Sequence, residues 1–300
     1  MSEDPDSFFV VKGSLVDKWA FRELPSITRG DVTRELDLIV DRGAPTVANR
    51  TLAALRKMLN WSVSRDYLPT NPCAGIRAPV AEKPRDRILT DDEVRAFWNA
   101  CDQLGSPFGP LFQILLLTGQ RREEVAAMTW SEIEGDVWTI PRERAKNDKA
   151  HAVPLSSAAS SILSGIESIA GTQGYVFTTT GTSPVSGFSR AKKKKLDGLM
   201  LESLLEEAAA QDKEAKLLPW RTHDLRRTVA SGMARLGINL PVIERVLNHV
   251  SGSFGGIVSV HQKHEFQDEK RLALETWNRF VGSVATPTVN VIDIHNRAKV

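Results

Sequence analysis

Tyrosine and cysteine are the scarce residues of this 300-residue chain, at two each. Cys73 and Cys101 lie far apart, form no CxxC and have no histidines clustered around them. That pattern argues against a disulfide framework or a zinc site and leaves both as ordinary buried thiols. Long apolar runs are missing too: stretches such as residues 114–117 fall far short of the roughly 18 residues a membrane span needs. The amino terminus, MSEDPDSFFV, is acidic, whereas a secretory signal is basic and then apolar. These absences make the cytoplasm the expected compartment. A large excess of one charge is also lacking, since the formal net charge is +2, which rules out a histone-like polycation. Nucleic acid stays open as a partner, because clustering of cations on one surface matters more than the total. What remains is an ordinary globular composition, 41% hydrophobic and 25% charged, long enough for one large domain or two.

Periodicity divides the chain. Residues 28–40 carry Val32, Leu36, Ile39 and Val40 at helical spacing, with Asp31 near the start. A second helix is predicted from Ala44-Pro45-Thr46, with Pro45 suited to a first turn, through Leu52, Leu55, Leu59 and Val63. Its polar face holds Arg50, Arg56, Lys57 and Arg65. Residues 78–87 (APVAEKPRDR) have two prolines, five charges and no periodicity, so they read as a linker, with a boundary near residue 85. Thr90 with Glu93 three residues on is a capping-box pattern that opens a new helix. The larger second part is predicted to be mainly helical, except that VWTIP and HAVPL within 137–155 flank a polar turn as short strands. Residues 202–216 are predicted helical, and those from Ser283 onward a mobile tail. Residues 190–195 (RAKKKK) put five cations in six positions, which reads first as a solvated loop. No internal repeat is present.

Four short segments carry chemistry. In LLLTGQRREEVAAMTW, an apolar helix ends at Thr118-Gly119 and the next begins around Arg121. A helix start offers unpaired N–H groups and positive dipole, to which arginine adds a planar donor fork for phosphate. The bland alternative is a surface cluster of Arg121, Arg122, Glu123 and Glu124. In RAKNDKAHAVPL, a lysine in a hairpin turn projects from the sheet toward a groove or a leaving group, although most turn lysines are merely solvated. In RTHDLRRTVASGMARLGI, His223 and Arg226 share one helix face. An imidazole beside a guanidinium suits an anion better than a metal. In VLNHVSG, His249 stands at a helix end before a Gly/Ser loop.

Each segment alone is weak, but the order TGxR, hairpin KxxK, HDLRR and LNH is not. In that order the chain resembles the tyrosine recombinase (phage integrase) family, over roughly residues 15–282 and most strongly from Arg85 onward. The resemblance implies a mainly α fold with a small β-sheet (α+β). It also implies a helical core-binding domain at 1–80, partly truncated, a linker at 81–88, a catalytic domain at 89–282 and a tail at 283–300. The two domains are expected to form a C-shaped clamp on duplex DNA. The family's arm-type DNA-binding region and much of its first core-binding helix are expected to be absent.

By the same resemblance, Arg121 and Arg226 match the two catalytic arginines that hold the non-bridging oxygens of the scissile phosphate. His223 matches the histidine that hydrogen-bonds the phosphate and manages a proton. Lys146 matches the hairpin general acid for the departing 5′-oxygen, with Lys149 as fallback. His249 matches a further phosphate ligand, and Glu124 an acidic position that is structural more than chemical. No metal or other cofactor is implied, because the arginines supply the positive charge. Arg50, Arg56, Lys57, Lys192, Lys193 and Lys194 are expected to position DNA phosphates, which moves the RAKKKK run from solvated loop to DNA contact. The implied partners are double-stranded attachment-site DNA, a homotetramer on two duplexes, and accessory bending or directionality factors. Residues 271–277 and the tail are candidates for exchange with a neighbour, an ordinary docking helix being the alternative.

One expected residue is missing. Related integrases place the nucleophilic tyrosine directly after the equivalent of Ser259-Val260, and here that slot holds His261. The only tyrosines, Tyr67 and Tyr175, lie far upstream. The chain is then a decayed or repurposed integrase, a deliberately inactivated variant, or an enzyme that attacks through His261. Imidazole is nucleophilic when neutral but shorter than phenol, and a misplacement near 1 Å costs on the order of 100-fold. His264 reads as a solvated or stacking residue. Two readings follow: a recombinase impaired at one side chain, or an integrase-derived protein that occupies recombination sites without cutting. A type IB topoisomerase shares the chemistry but fits less well, since integrase-like phrases run throughout the second domain.

Overall fold

A computed structural model describes residues 13–82, 85–171, 174–210, 214–249 and 266–286. The chain divides into two compact units, Met1–Arg85 and Asp86–Val300.

In the first unit, helix α1 is Leu15–Trp19, α2 is Arg29–Asp41 and α3 is Pro45–Ser64. Helix α2 begins where its cap dictates. The Thr28 hydroxyl accepts from Asp31 N at 3.2 Å, and the Asp31 carboxylate accepts from Thr28 N at 3.0 Å. Pro45 occupies the first turn of α3, where its missing N–H costs nothing. Val32, Leu36 and Ile39 then meet Ala48, Leu52, Leu55 and Leu59 in one core, closed by Leu68, Cys73 and Ile76.

The second unit opens with α4 (Asp91–Leu104), started by the Thr90–Glu93 capping box. Its centre is α5 (Phe108–Thr118), apolar on all sides and buried along nearly its whole length. A three-stranded antiparallel sheet of β1 (Ile133–Glu134), β2 (Val137–Ile140) and β3 (His151–Pro154) follows α6 (Arg122–Ala126). Val137 pairs with Pro154 and Ile140 with His151, so residues 141–150 form the hairpin turn. Then come α7 (Ser157–Ser164), α8 (Phe188–Ala191), α9 (Asp197–Ala210), α10 (Thr222–Arg235), α11 (Leu240–Val246) and α12 (Gln267–Ala285). The fold is mainly α with a small sheet, as the resemblance implied.

Several local expectations give way to packing. The RAKKKK run is not a loop: α8 passes into a π-helical turn, Lys192–Leu196, because Phe188 and Leu196 on either side of the lysines are buried. The helix expected over 202–216 starts earlier, at Asp197, and ends at Ala210, with Glu214 to Lys216 outside it. Its buried stripe, Met200, Ser203 and Leu204, gives out well before its end. Helix α12 runs past Ser283 to Ala285, whose side chain is buried, so the first residues of the predicted tail are helical. Residues 271–277 lie inside α12, which docks on its own unit through Ala273, Leu274, Trp277 and Val281. His261 and His264, and the tail beyond 286, fall outside the described residues.

Candidate active site

The site grows from the end of α5. Gly119 adopts φ +65, which a residue with a side chain rarely tolerates, and a Cβ there would lie 2.8 Å from Leu247 Cδ2 and 3.0 Å from Val229 Cγ1. The turn it permits delivers Arg121 to the N-cap of α6. Glu124, buried, accepts from Arg121 N at 3.0 Å and from Arg121 Nη1 at 2.9 Å. The outer nitrogen, Nη2, donates to Asn248 O at 3.3 Å. Gln120, also buried, donates its amide to Thr118 O and to Val246 O, both at 2.9 Å.

The second guanidinium comes from α10. Arg226 is 4% exposed; its Nη1 donates to Gly119 O at 2.7 Å and its Nη2 to Leu247 O. Both arginines therefore brace the segment that follows α11 and carries His249. Burial, and then repulsion from Arg121, pulls the Arg226 guanidinium down to about 10. With Glu124 already engaged by Arg121, the pair keeps a surplus of positive charge in a half-dry place. An anion arriving there relieves that repulsion.

The imidazoles respond to the same field. His249 is pushed down to about 4 by partial burial and then by Arg226 and Arg121. His223 is lowered by burial and then by Arg227 and Arg226. Both are neutral near pH 7, so each ring offers one acceptor nitrogen and one donor N–H. Asp224, fully buried beside them, caps α10 by accepting from Arg221 N at 2.8 Å and pairs with Arg227 at 2.5 Å.

A cleft of about 320 Å³ opens over this cluster, lined by Gln120, Arg121, Lys146, Thr222, His223 and Arg226 among others. Of the five residues singled out for phosphate chemistry, four line it. His249 does not line it, but lies within electrostatic reach of Arg226, Arg121, His223 and Lys146. Lys146 is in the lining and Lys149 is not.

Of the six residues expected to position DNA, three have a protein partner, and Arg50 is exposed all the same. Arg50 pairs with Glu82 at 3.1 Å, Arg56 Nη2 donates to Ile76 O at 2.5 Å, and Lys192 pairs with Asp197 at 2.7 Å with its ammonium 4.0 Å above the Trp220 ring. Lys57, Lys193 and Lys194 are exposed. Among the described residues no group of three or more His, Cys, Asp and Glu side chains is placed to hold a metal ion. No described helix is long and apolar enough to cross a membrane.

Sequence reasoning passed over His151. It is buried at the start of β3, with Nε2 3.1 Å from Val246 O. Burial, then Lys270 nearby, lowers it to about 3 from an ordinary 6.5. A histidine depressed in the folded state binds its proton first in the unfolded chain, so it costs stability as pH falls below 6.5. Between pH 6.5 and 4 that loss is roughly 3 kcal/mol. His151→Gln, which can still donate to Val246 O, is expected to flatten this part of a melting-temperature profile. Identical slopes for the two proteins would contradict it.

Known proteins are similar to this chain in sequence and fold. Residues 87–257, more than half of the chain, match the model of the phage integrase family. Prophage integrase IntF of Escherichia coli (strain K12) is 27% identical over 172 residues, 49% of this chain and 35% of that protein. Tyrosine recombinase XerC of Xylella fastidiosa (strain M23) is 28% identical over 204 residues, 67% of this chain and 65% of that protein. The match thus spans about a third of one relative and just under two thirds of the other. A lambda integrase tetramer bound to a Holliday junction has a TM-score of 0.57 at 20% identity, covering 79% of this chain and 68% of that one. At that identity the likeness establishes the fold.

Proposed function

Because the chain belongs to the phage integrase family, we propose that it binds attachment-site DNA and carries a strand-exchange site impaired at its nucleophile. The observation that supports this best is the convergence of two guanidiniums, one nearly buried, on a single open cleft also lined by a neutral histidine and a lysine. Arg121 and Arg226 hold the non-bridging oxygens, where negative charge grows as phosphorus becomes five-coordinate. His223 and His249 add hydrogen bonds. Attack on phosphorus forms a covalent 3′-phosphoryl link as the P–O5′ bond breaks, and Lys146 donates the proton that makes the leaving group a 5′-hydroxyl. The link conserves the energy of the broken ester, so rejoining needs no nucleotide.

His261 occupies the attacking position by the sequence pattern. That supports the second reading, a protein that grips recombination sites without cutting them. The partner is double-stranded DNA, with Lys57, Lys193 and Lys194 positioning phosphates, and binding is expected to weaken steeply with salt. A tetramer on two duplexes is the proposed assembly, the lambda integrase neighbour being a tetramer bound to a Holliday junction. The proposed roles are core-site binding for the unit Met1–Arg85 and strand exchange for the unit Asp86–Val300.

A nicked suicide site, whose cleaved end diffuses away, tests both readings on a denaturing gel. The chain as it stands is expected to give little or no covalent adduct, and His261→Tyr a clear one. Adduct from the unaltered chain would make His261 itself the nucleophile. Binding without any adduct from His261→Tyr would leave the binding-protein reading alone.

A further inference from the structure

The turn that carries Lys146 is held down on both sides of that residue. On one side Arg144 Nη1 donates to Glu124 O at 3.1 Å, and its other nitrogen pairs with Glu132, which also accepts from Trp138 Nε1 at 3.0 Å. On the other side Asn147 Nδ2 donates to Asn248 Oδ1 at 2.6 Å, and Asn248 Nδ2 donates back to Asn147 Oδ1 at 3.1 Å. The two amides form a closed reciprocal pair between residues 101 positions apart in the chain. Asn248 sits at φ +49, a conformation asparagine tolerates, and its carbonyl takes the hydrogen bond from Arg121 Nη2. It also directly precedes His249. One residue therefore touches the arginine and holds the lysine turn. A surface turn between residues 141 and 150 without such ties would sample many conformations at little cost. Lys146 itself remains exposed, free to reach a ligand in the cleft.

We infer that Asn147 and Asn248 are positioning residues, an amide latch that docks the Lys146 turn onto the His249 segment before DNA arrives. The inference rests on the reading above insofar as Lys146 supplies the leaving-group proton. The latch itself is a property of the folded chain and is read without DNA.

Two experiments test it. In the first, full-length protein is digested briefly with trypsin and cleavage after Lys146 is followed by mass spectrometry. Asn147→Ala is expected to speed that cut about tenfold, the loss of two net hydrogen bonds from a turn that opens faster than it is cut. Asn248→Gly, which keeps the backbone conformation, should do the same, and the double variant should be no faster than either single one. Melting temperatures check that the fold survives. Unchanged cutting in the single variants, or multiplied effects in the double one, would overturn the latch.

In the second, His261→Tyr chains act on suicide DNA with either oxygen or sulfur at the bridging 5′ position. A thiolate leaves without a proton, so it does not need Lys146. Asn147→Ala is expected to slow adduct formation on the oxygen ester about tenfold and to leave the sulfur ester nearly unchanged, as Lys146→Ala should more strongly. Equal slowing on both substrates would overturn the positioning role. No adduct on either substrate from the His261→Tyr parent would count against the recombinase reading alone, and the digestion result would still decide the latch.

Discussion

In the His261→Tyr chain, Arg226→Ala is expected to slow covalent adduct formation by about 10²–10³-fold, the range for removing one donor that meets charge developing in a transition state. Arg226 is at the upper end for a structural reason. Its fork already donates to Gly119 O and Leu247 O, so it is fixed in place before any phosphate enters, and almost no side-chain entropy remains to be lost on binding. The same two bonds complicate the variant, because alanine leaves both carbonyls without that donor. Arg226→Lys separates the effects: it keeps the charge, but one compact ammonium cannot span the two carbonyls and a phosphate that the planar fork reaches. The lysine variant should bind DNA at low salt nearly as the parent does and lose most of the rate. Arg122→Ala is the comparison for a cation that borders the same cleft without being fixed in it, since Arg122 lies exposed against Glu123 and the Phe188 ring. Adduct formation by Arg226→Ala within about threefold of the parent would remove the phosphate clamp from the mechanism.

The contrast between Arg226 and Arg122, neighbours in type and alike in sequence surroundings, shows what the sequence could reveal. The cap at Thr90 with Glu93 was legible because its partners are three residues apart, and the fold shows the same spacing at Thr28 with Asp31. The hairpin was legible because alternation over four or five residues is enough to specify a strand pair. The arginine pair was singled out only through the order of the motifs, and the fold brings Arg121 and Arg226 to one cleft. Partners far off in the chain left no local mark. Gln120 and His151 both reach Val246 O, and Asn147 reaches Asn248, across 95 residues or more. Cations gave no sign of their partners for the same reason: Arg50, Arg56 and Lys192 look free in sequence, and each has a protein partner in the fold. A run of lysines says nothing of the tryptophan that waits beneath one of them.

The docking of α12 is where that distance matters most for stability, and Trp277→Ala is expected to cost about 3–5 kcal/mol. Trp277 is 1% exposed and stacks on Phe280 at 5.6 Å between centroids. Helix α10 approaches it so closely that a Cβ on Gly232 would lie 2.1 Å from Trp277 Cζ3. Its indole N–H donates to Leu116 O at 2.8 Å, a carbonyl in the last turn of α5 that has no later residue of its own helix to bond. Alanine therefore opens a cavity between three helices and also strands a buried acceptor. Trp277→Phe keeps most of the packing and should cost about 1–3 kcal/mol, the penalty for the unpaired carbonyl. For a unit of this size the alanine variant should melt roughly 10 °C or more below the parent. In the His261→Tyr background the consequence extends to chemistry. In the chain, position 261 lies between His249 and α12. Trp277→Phe should keep adduct formation, whereas Trp277→Ala should lose it at temperatures where α10 and α5 are still folded. An alanine variant that melts within about 2 °C of the parent would show that α12 is only laid against the unit and does not close its core.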